Sequence, residues 1–244
     1  MTFDHNEFVE NRKIALKSLT GSHNYNLHTH DSDEDFKFFV FPTFDDLYTN
    51  TMFSKSIVSD TVDATVHDVR HLLDLIWKAN TNFIEVLFGA FMWDNSISFI
   101  MDKKELLARM NLPSFYNANM GMHNQKMSTL HKGTGNTQSL IDEFGYDTKQ
   151  ACHALRVLLI LSRYMEKGCM ADALRFGDSD PARTALVNIK AGNYSEWEFN
   201  EIVEEWFDTH LKDVREFYKN AVPDKLMYGH MKAQLKEVVK AKLL

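Results

Sequence analysis

GSHNYNLHTHDSDEDFKFFVFP, residues Gly21–Pro42, places a Gly-Ser turn ten residues ahead of two carboxylates, Asp33 and Asp35, spaced i, i+2. The aromatic and β-branched run Asp35–Phe41 that follows reads as a strand, ended by Pro42. On a strand, residues two apart point to the same face, so Asp33 and Asp35 project together while Glu34 points away. Two converging carboxylates repel each other unless a cation lies between them, and hard oxygen ligands suit Mg²⁺ or Mn²⁺. A small-residue turn beside them brings backbone N–H groups within reach of phosphate oxygens. These are the parts of a metal-dependent phosphoryl or nucleotidyl transfer site; the competing reading is an acidic surface loop ahead of a strand.

Working outward, Ile14–Leu19 (IALKSL) is an apolar candidate strand leading into Thr20-Gly21-Ser22. Thr43–Tyr48 reads as a helix start or turn, and the SKSIVSD segment as a further strand. Val66, Val69, Leu72, Leu73 and Ile76 recur at helical spacing, which predicts a helix over 63–79 that Asn80-Thr81-Asn82 breaks. Phe83–Phe88 (FIEVLF) is a short apolar run read as a strand, with one acid, Glu85; burying that acid unpaired is costly, and the alternative is an edge strand with Glu85 in water. Beyond this point helical patterns dominate: 101–110, 121–132, a strong helix over 147–166, then 182–191 and 195–218. Ser195-Glu-Trp-Glu198 is a capping-box signature. The tail 225–244 is a basic amphipathic helix carrying Lys225, Lys232, Lys236, Lys240 and Lys242; the default is a solvated face, the sharper alternative a phosphate contact to RNA or DNA.

In Tyr146-Asp-Thr-Lys149-x-x-x-His153-x-x-Arg156 the three basic residues share one helix face, which is either a solvated face or a phosphate-binding one. His23, His28 and His30 fall within eight residues, but their spacing fits no tetrahedral zinc pattern and no cysteine accompanies them. Lys126 is a further basic candidate on a helix.

The 244 residues are 44% hydrophobic, enough for a substantial core, and the formal net charge of −7 argues against a broadly basic nucleic-acid coat. Two cysteines, Cys152 and Cys169, in no metal-binding spacing, read as buried thiols of a reducing cytoplasm. No apolar run approaches the ~20 residues of a membrane span, and the N-terminus lacks a signal-peptide core.

Gly21, Ser22, Tyr25, Ser32, Asp33 and Asp35, in that order, resemble the signature of the polymerase-beta-like nucleotidyltransferase superfamily, in particular its bacterial and phage predicted nucleotidyltransferases. The resemblance extends to the Tyr-x-x-Lys-x-x-x-His-x-x-Arg helix. It implies that Gly21 and Ser22 hold the triphosphate of an incoming nucleotide, and that Asp33 and Asp35 hold two metal ions. It also implies that Glu85 supplies a third carboxylate from a neighbouring strand, and that Lys149, His153 and Arg156 contact phosphate. Where relatives carry Gly after the aromatic this chain has Asn26, which tolerates the left-handed backbone a turn there needs. Between the acids it has Glu34 in place of an apolar residue.

The expected architecture is α+β: a small mixed-sheet catalytic core over 1–105, then a mostly helical region over 106–244 closing over the nucleotide. The expected function is Mg²⁺- or Mn²⁺-dependent transfer of a nucleoside monophosphate from an NTP to a hydroxyl acceptor, with RNA, protein or a small molecule as the candidate acceptors. The alternative is a non-catalytic NTP sensor or an antitoxin-like partner-binding module. No membrane partner is expected.

Overall fold

The computed structural model describes residues 8–10, 12–30, 32–58, 62–133 and 137–243. Most of the polar N-terminus, the end of the SKSIVSD strand and the centre of the 133–137 loop lie outside them. The chain forms two compact units, residues 1–111 with 223–244, and residues 112–222. The class is α+β, a five-stranded mixed sheet in the N-terminal half and a mostly helical C-terminal region.

The first unit contains β1 (Ile14–Thr20), α1 (Gly21–Asn24), β2 (Glu34–Val40), α2 (Phe44–Tyr48), β3 (Ser54–Val58), β4 (Val62–Asp68), α3 (Leu72–Trp77), α4 (Thr81–Ile84), β5 (Ala90–Trp93), α5 (Ser98–Met101) and α6 (Lys104–Ala108). The strand order is β3-β4-β2-β1-β5. Among the described residues β2 and β4 run parallel, and the pairs β1–β2, β1–β5 and β3–β4 are antiparallel. Alternation gives the sheet two distinct faces. One carries Phe38, Val40, Ala64 and Val66 and packs with Phe8 and Val9 into a core cluster. The other carries Asp35, Lys37 and Phe39 on β2 beside Asp63, Thr65 and His67 on β4. His67 lies between the rings of Phe39 and Phe83, each at 5.5 Å, so α4 covers this second face.

Residues 63–79 are not one helix. VDATVHD forms β4, and a 3-10 turn (Val69–His71) leads into the short helix α3. The apolar side of the strand (Ala64, Val66) runs directly into the apolar side of the turn and helix (Val69, Leu72, Leu73, Ile76), imitating one continuous stripe. FIEVLF is not a strand either. Asn80 caps α4 by accepting from the Asn82 N–H at 2.9 Å, and a 3-10 turn (Glu85–Leu87) follows. A six-residue apolar run carries too little periodicity to separate the two states.

The second unit consists of α7 (Leu112–Met127), α8 (Gln138–Phe144), α9 (Thr148–Lys167), α10 (Met170–Leu174), α11 (Pro181–Lys190) and α12 (Glu196–Lys219). Helix α9 is its axis, buried on nearly every side and packed by α7, α10, α11 and α12. Two of its buried polar side chains tie it to its neighbours: Ser162 accepts from Trp206 Nε1 at 3.3 Å, and Arg163 donates to the carbonyls of Ala173, Asp172 and Arg175 and pairs with Asp180. The capping box at Ser195 and Glu198 is formed as the sequence predicts. Cys152 is buried and Cys169 half-buried.

The basic tail, α13 (Lys225–Ala241), is an integral part of the first unit. Met231, Leu235 and Val239 are buried, Tyr228 stacks on Trp77 at 4.5 Å, Lys232 donates to Asp74 at 2.7 Å, and Lys242 pairs with Asp94 at 2.9 Å. Two of its lysines are thus committed to holding the helix in place. Burying three apolar side chains contributes about 1.5–3 kcal/mol each, against a total stability of about 5–15 kcal/mol. Truncation after Val222 is therefore expected to abolish the cooperative urea transition of the first unit. An unchanged transition would show that α13 is peripheral. Among the described residues no helix is long and apolar enough to cross a membrane.

Candidate active site

The site is built at the point where β1 ends. Thr20 lies opposite Asp35, and Asp35 lies in register with Asp63. Thr20 Oγ1 donates to the Asp35 carbonyl at 3.2 Å, which pins the start of β2 to the end of β1. The chain then turns into α1 through Gly21 at φ +65°, a left-handed conformation that costs an ordinary residue about 1–2 kcal/mol. A Cβ on Gly21 would stand 1.9 Å from Asp35 Oδ2. Glycine is therefore required twice over, by the backbone angle and by the carboxylate lying against it. Further on, Asn26 occupies the left-handed region at φ +61°, as expected of the residue standing in for glycine there. Ser22 follows Gly21 in α1 and is half-buried.

Glu85 reaches this turn from the 3-10 segment rather than from a strand. Its carboxylate is 2% exposed; Oε2 accepts the Gly21 N–H at 3.1 Å and Oε1 lies 3.7 Å from Lys37 Nζ. The Glu85 carbonyl accepts from Asn24 Nδ2 at 3.2 Å. Lys37 also donates to Thr20 Oγ1 at 3.4 Å. Glu85 and Lys37 together clamp the Gly-Ser turn onto the sheet.

Asp33 and Glu34 are exposed at the mouth, and Asp35 is half-buried. Burial pushes the Asp35 carboxyl up from 3.8 to about 6, reinforced by Asp33, Asp63 and Glu85 and opposed by Lys37. Asp63 is the residue that sequence reasoning missed. It sits on the strand misread as a helix, beside Asp35, and its Oδ1 is buried with no hydrogen-bond partner among the described residues. The signal was present in the alternation of Val62, Ala64 and Val66 with Asp63, Thr65 and His67.

Hard carboxylate oxygens on adjacent strands, one of them buried and unmatched, fit a divalent cation. Among the described residues no three His, Cys, Asp or Glu side chains lie close enough to hold an ion unaided.

Lys149, His153 and Arg156 belong to the second unit, on α9. They share a helix face as expected, but it runs inward: Lys149 is exposed, His153 half-buried and Arg156 3% exposed.

A family model described as the RNA repair pathway DNA polymerase beta family matches residues 2–230. No curated protein matches the chain. Among solved structures, a nucleotidyltransferase-like protein from Exiguobacterium sibiricum is similar over 98% of this chain and 72% of its own, at 11% identity and a TM-score of 0.31.

Proposed function

The chain belongs to the RNA repair pathway DNA polymerase beta family, and we propose that it transfers a nucleoside monophosphate from an NTP to an RNA hydroxyl, releasing pyrophosphate. The family is one of polymerase beta-like nucleotidyltransferases, whose members generally use divalent metals. The observation that carries the proposal is the in-register pair Asp35 and Asp63 beside a glycine turn with no room for a Cβ. The RNA acceptor rests on the family's description.

In this reading Asp33, Asp35 and Asp63 hold Mg²⁺ or Mn²⁺, as two ions, with the remaining coordination supplied by substrate phosphate and water, the usual habit of Mg²⁺. When bound, the cation chemistry stabilises charge on the α-phosphoryl group and the leaving pyrophosphate. The acceptor oxygen attacks the α-phosphorus, and the bond from that phosphorus to the α,β-bridging oxygen breaks. Asp35, at the turn beside Asp63, is the carboxylate we assign to take the hydroxyl proton. Gly21 and Ser22 receive the β- and γ-phosphates; the missing side chain of Gly21 lets the Asp35 carboxylate lie against the same turn.

Glu85 was expected as the third metal carboxylate. Its oxygens lie against the Gly21 N–H and Lys37, so we assign it to bracing the turn and assign the third metal position to Asp63. Two variants separate these roles. Asp63→Asn is expected to lower Mg²⁺-dependent turnover by about 10²–10³-fold at saturating nucleotide. Glu85→Gln keeps an acceptor for the Gly21 N–H and is expected to stay within about tenfold of wild type. The opposite ranking would return the metal position to Glu85.

A further inference from the structure

We propose that the open half of the catalytic sheet face, where Ser54 and Ser56 of β3 stand beside Thr65 and His67 of β4, seats the terminal nucleoside of the RNA acceptor. The inference rests on the transfer reaction proposed above and adds to it the side from which the attacking hydroxyl arrives.

The shelf follows from the strand registers. Val58, Ser56 and Ser54 lie opposite Asp63, Thr65 and His67, so they share the face that carries Asp35 and Lys37. Lys55, opposite Val66, alternates onto the core face. Ser54, Ser56 and Val58 are exposed, while Thr65 and His67 are half-buried. The outer half of the catalytic face is therefore open and floored by short side chains. Phe83 of α4 stands at its inner end, with its ring 5.5 Å from that of His67. Thr65 lies about 7 Å and His67 about 13 Å along β4 from Asp63, which brackets the reach of a nucleoside laid along the strand.

The side of attack follows from the strand order. Gly21 and Ser22, assigned to the leaving phosphates, stand just past the end of β1, and Asp35 and Asp63 stand on β2 and β4. In the order β3-β4-β2-β1-β5 the carboxylates lie between that turn and β3. Attacking and leaving oxygens lie roughly in line across the phosphorus. With the leaving pyrophosphate on the β1 side, the acceptor hydroxyl approaches from the β3 side, where the shelf is.

A plainer account is that a sheet face turned to water is polar by default. Two observations go beyond it. Edge strands are ordinarily guarded by long charged side chains, yet β3 turns its lysine to the other face and offers serines here. Thr65 Oγ1 is buried with no hydrogen-bond partner among the described residues, and one χ1 step would aim it at the shelf. The surface also matches a nucleoside in charge. Beyond Asp63 its members are uncharged, because burial, then Lys37 and His71, hold His67 below its ordinary range and so neutral. Lys37, behind them, lies 3.7 Å from the Glu85 carboxylate. Hydroxyls suit a ribose, and the half-buried Phe83 ring and the imidazole suit a base.

The test uses short single-stranded RNA carrying 4-thiouridine at its 3′ or its 5′ end, bound to the full-length protein with Mg²⁺ and no NTP. Affinity is read by fluorescence anisotropy, and photocrosslinks are mapped by mass spectrometry. No transfer occurs without NTP, so the readout is independent of catalysis. Crosslinks from one RNA end are expected on β3, on β4 or at Phe83. Ser56→Ile and Ser54→Ile fill the shelf at exposed positions that tolerate a β-branched residue. Each is expected to bind RNA about 10- to 100-fold more weakly, the loss of one stacked base, while NTP with Mg²⁺ raises its melting temperature as in wild type. Crosslinks on the shelf together with that loss support the site. Crosslinks confined to other segments, no saturable binding of either RNA, or unchanged affinity in both variants overturns it. Loss of NTP-dependent stabilisation in place of RNA binding would give the shelf to the donor nucleoside and also overturns it. The catalytic reading fails by a different sign, the absence of pyrophosphate release from wild type with the crosslinks in place.

Discussion

Asp35→Asn is expected to lower nucleoside monophosphate transfer by roughly 10³-fold, and to raise the melting temperature of the metal-free protein at pH 7.5. The first effect follows from losing a carboxylate that holds the cation and accepts a proton, about 4 kcal/mol of transition-state stabilisation. The second follows from where Asp35 lies. It is packed beside Asp63 on the adjacent strand, with Asp33 and Glu85 acting on it too, and its carboxyl titrates at about 6 in place of 3.8. The folded protein thus holds this proton more tightly than the unfolded chain does. The favourable contribution is fully present below pH 3.8 and is lost as pH rises through about 6, so at pH 7.5 the ionised Asp35 opposes folding. For a partly exposed group, solvent screening reduces this to about 1 kcal/mol. Asparagine keeps the shape and removes the charge. Mg²⁺ should accordingly stabilise wild type at pH 7.5, do so less at pH 5, and leave Asp35→Asn unmoved. A variant that is both inactive and less stable than wild type in EDTA would show that Asp35 is a structural residue.

Gly21→Ala is expected to cost at least about 10²-fold in turnover with a stability loss of only about 1–2 kcal/mol. The stability term is the left-handed backbone at φ +65°. The catalytic term is larger because the new methyl would sit 1.9 Å from Asp35 Oδ2, and the short aspartate side chain must rotate away. A displacement of about 1 Å at a reacting centre is enough for a loss of that order. Urea denaturation and kcat measured on the same preparation separate the two terms. Near-normal kcat would mean that the Gly-Ser turn does not shape the site.

The mixed sheet followed by helices was readable in the sequence because its boundaries carry strong signals. Pro42 closes β2, Ser195 and Glu198 open α12, and the long apolar stripe of α9 admits one interpretation. The Gly-Ser turn and the Asp33/Asp35 pair were legible for the same reason, since both depend on local spacing. What was not legible depends on pairing between distant segments. Asp63 is informative only once β4 lies parallel to β2 in register, and its strand was hidden because Ala64 and Val66 lead without a break into the apolar face of α3. Lys37 likewise acquires meaning only when Glu85, 48 positions later, folds back on it. The return of α13 to the first unit rests on Trp77 and Asp74, which no local pattern connects to Tyr228 and Lys232.

The most direct measurement of the central claim is transfer of label from each of the four NTPs, labelled at the α-phosphate, with Mg²⁺ or Mn²⁺ and with total cellular RNA and total protein as acceptors, wild type beside Asp35→Asn. The account predicts label on RNA, one pyrophosphate released per nucleotide transferred, and loss of both with EDTA or with Asp35→Asn. No label on either acceptor and no pyrophosphate from any NTP, from a wild-type protein that NTP and metal nonetheless stabilise, would contradict it and leave a nucleotide sensor.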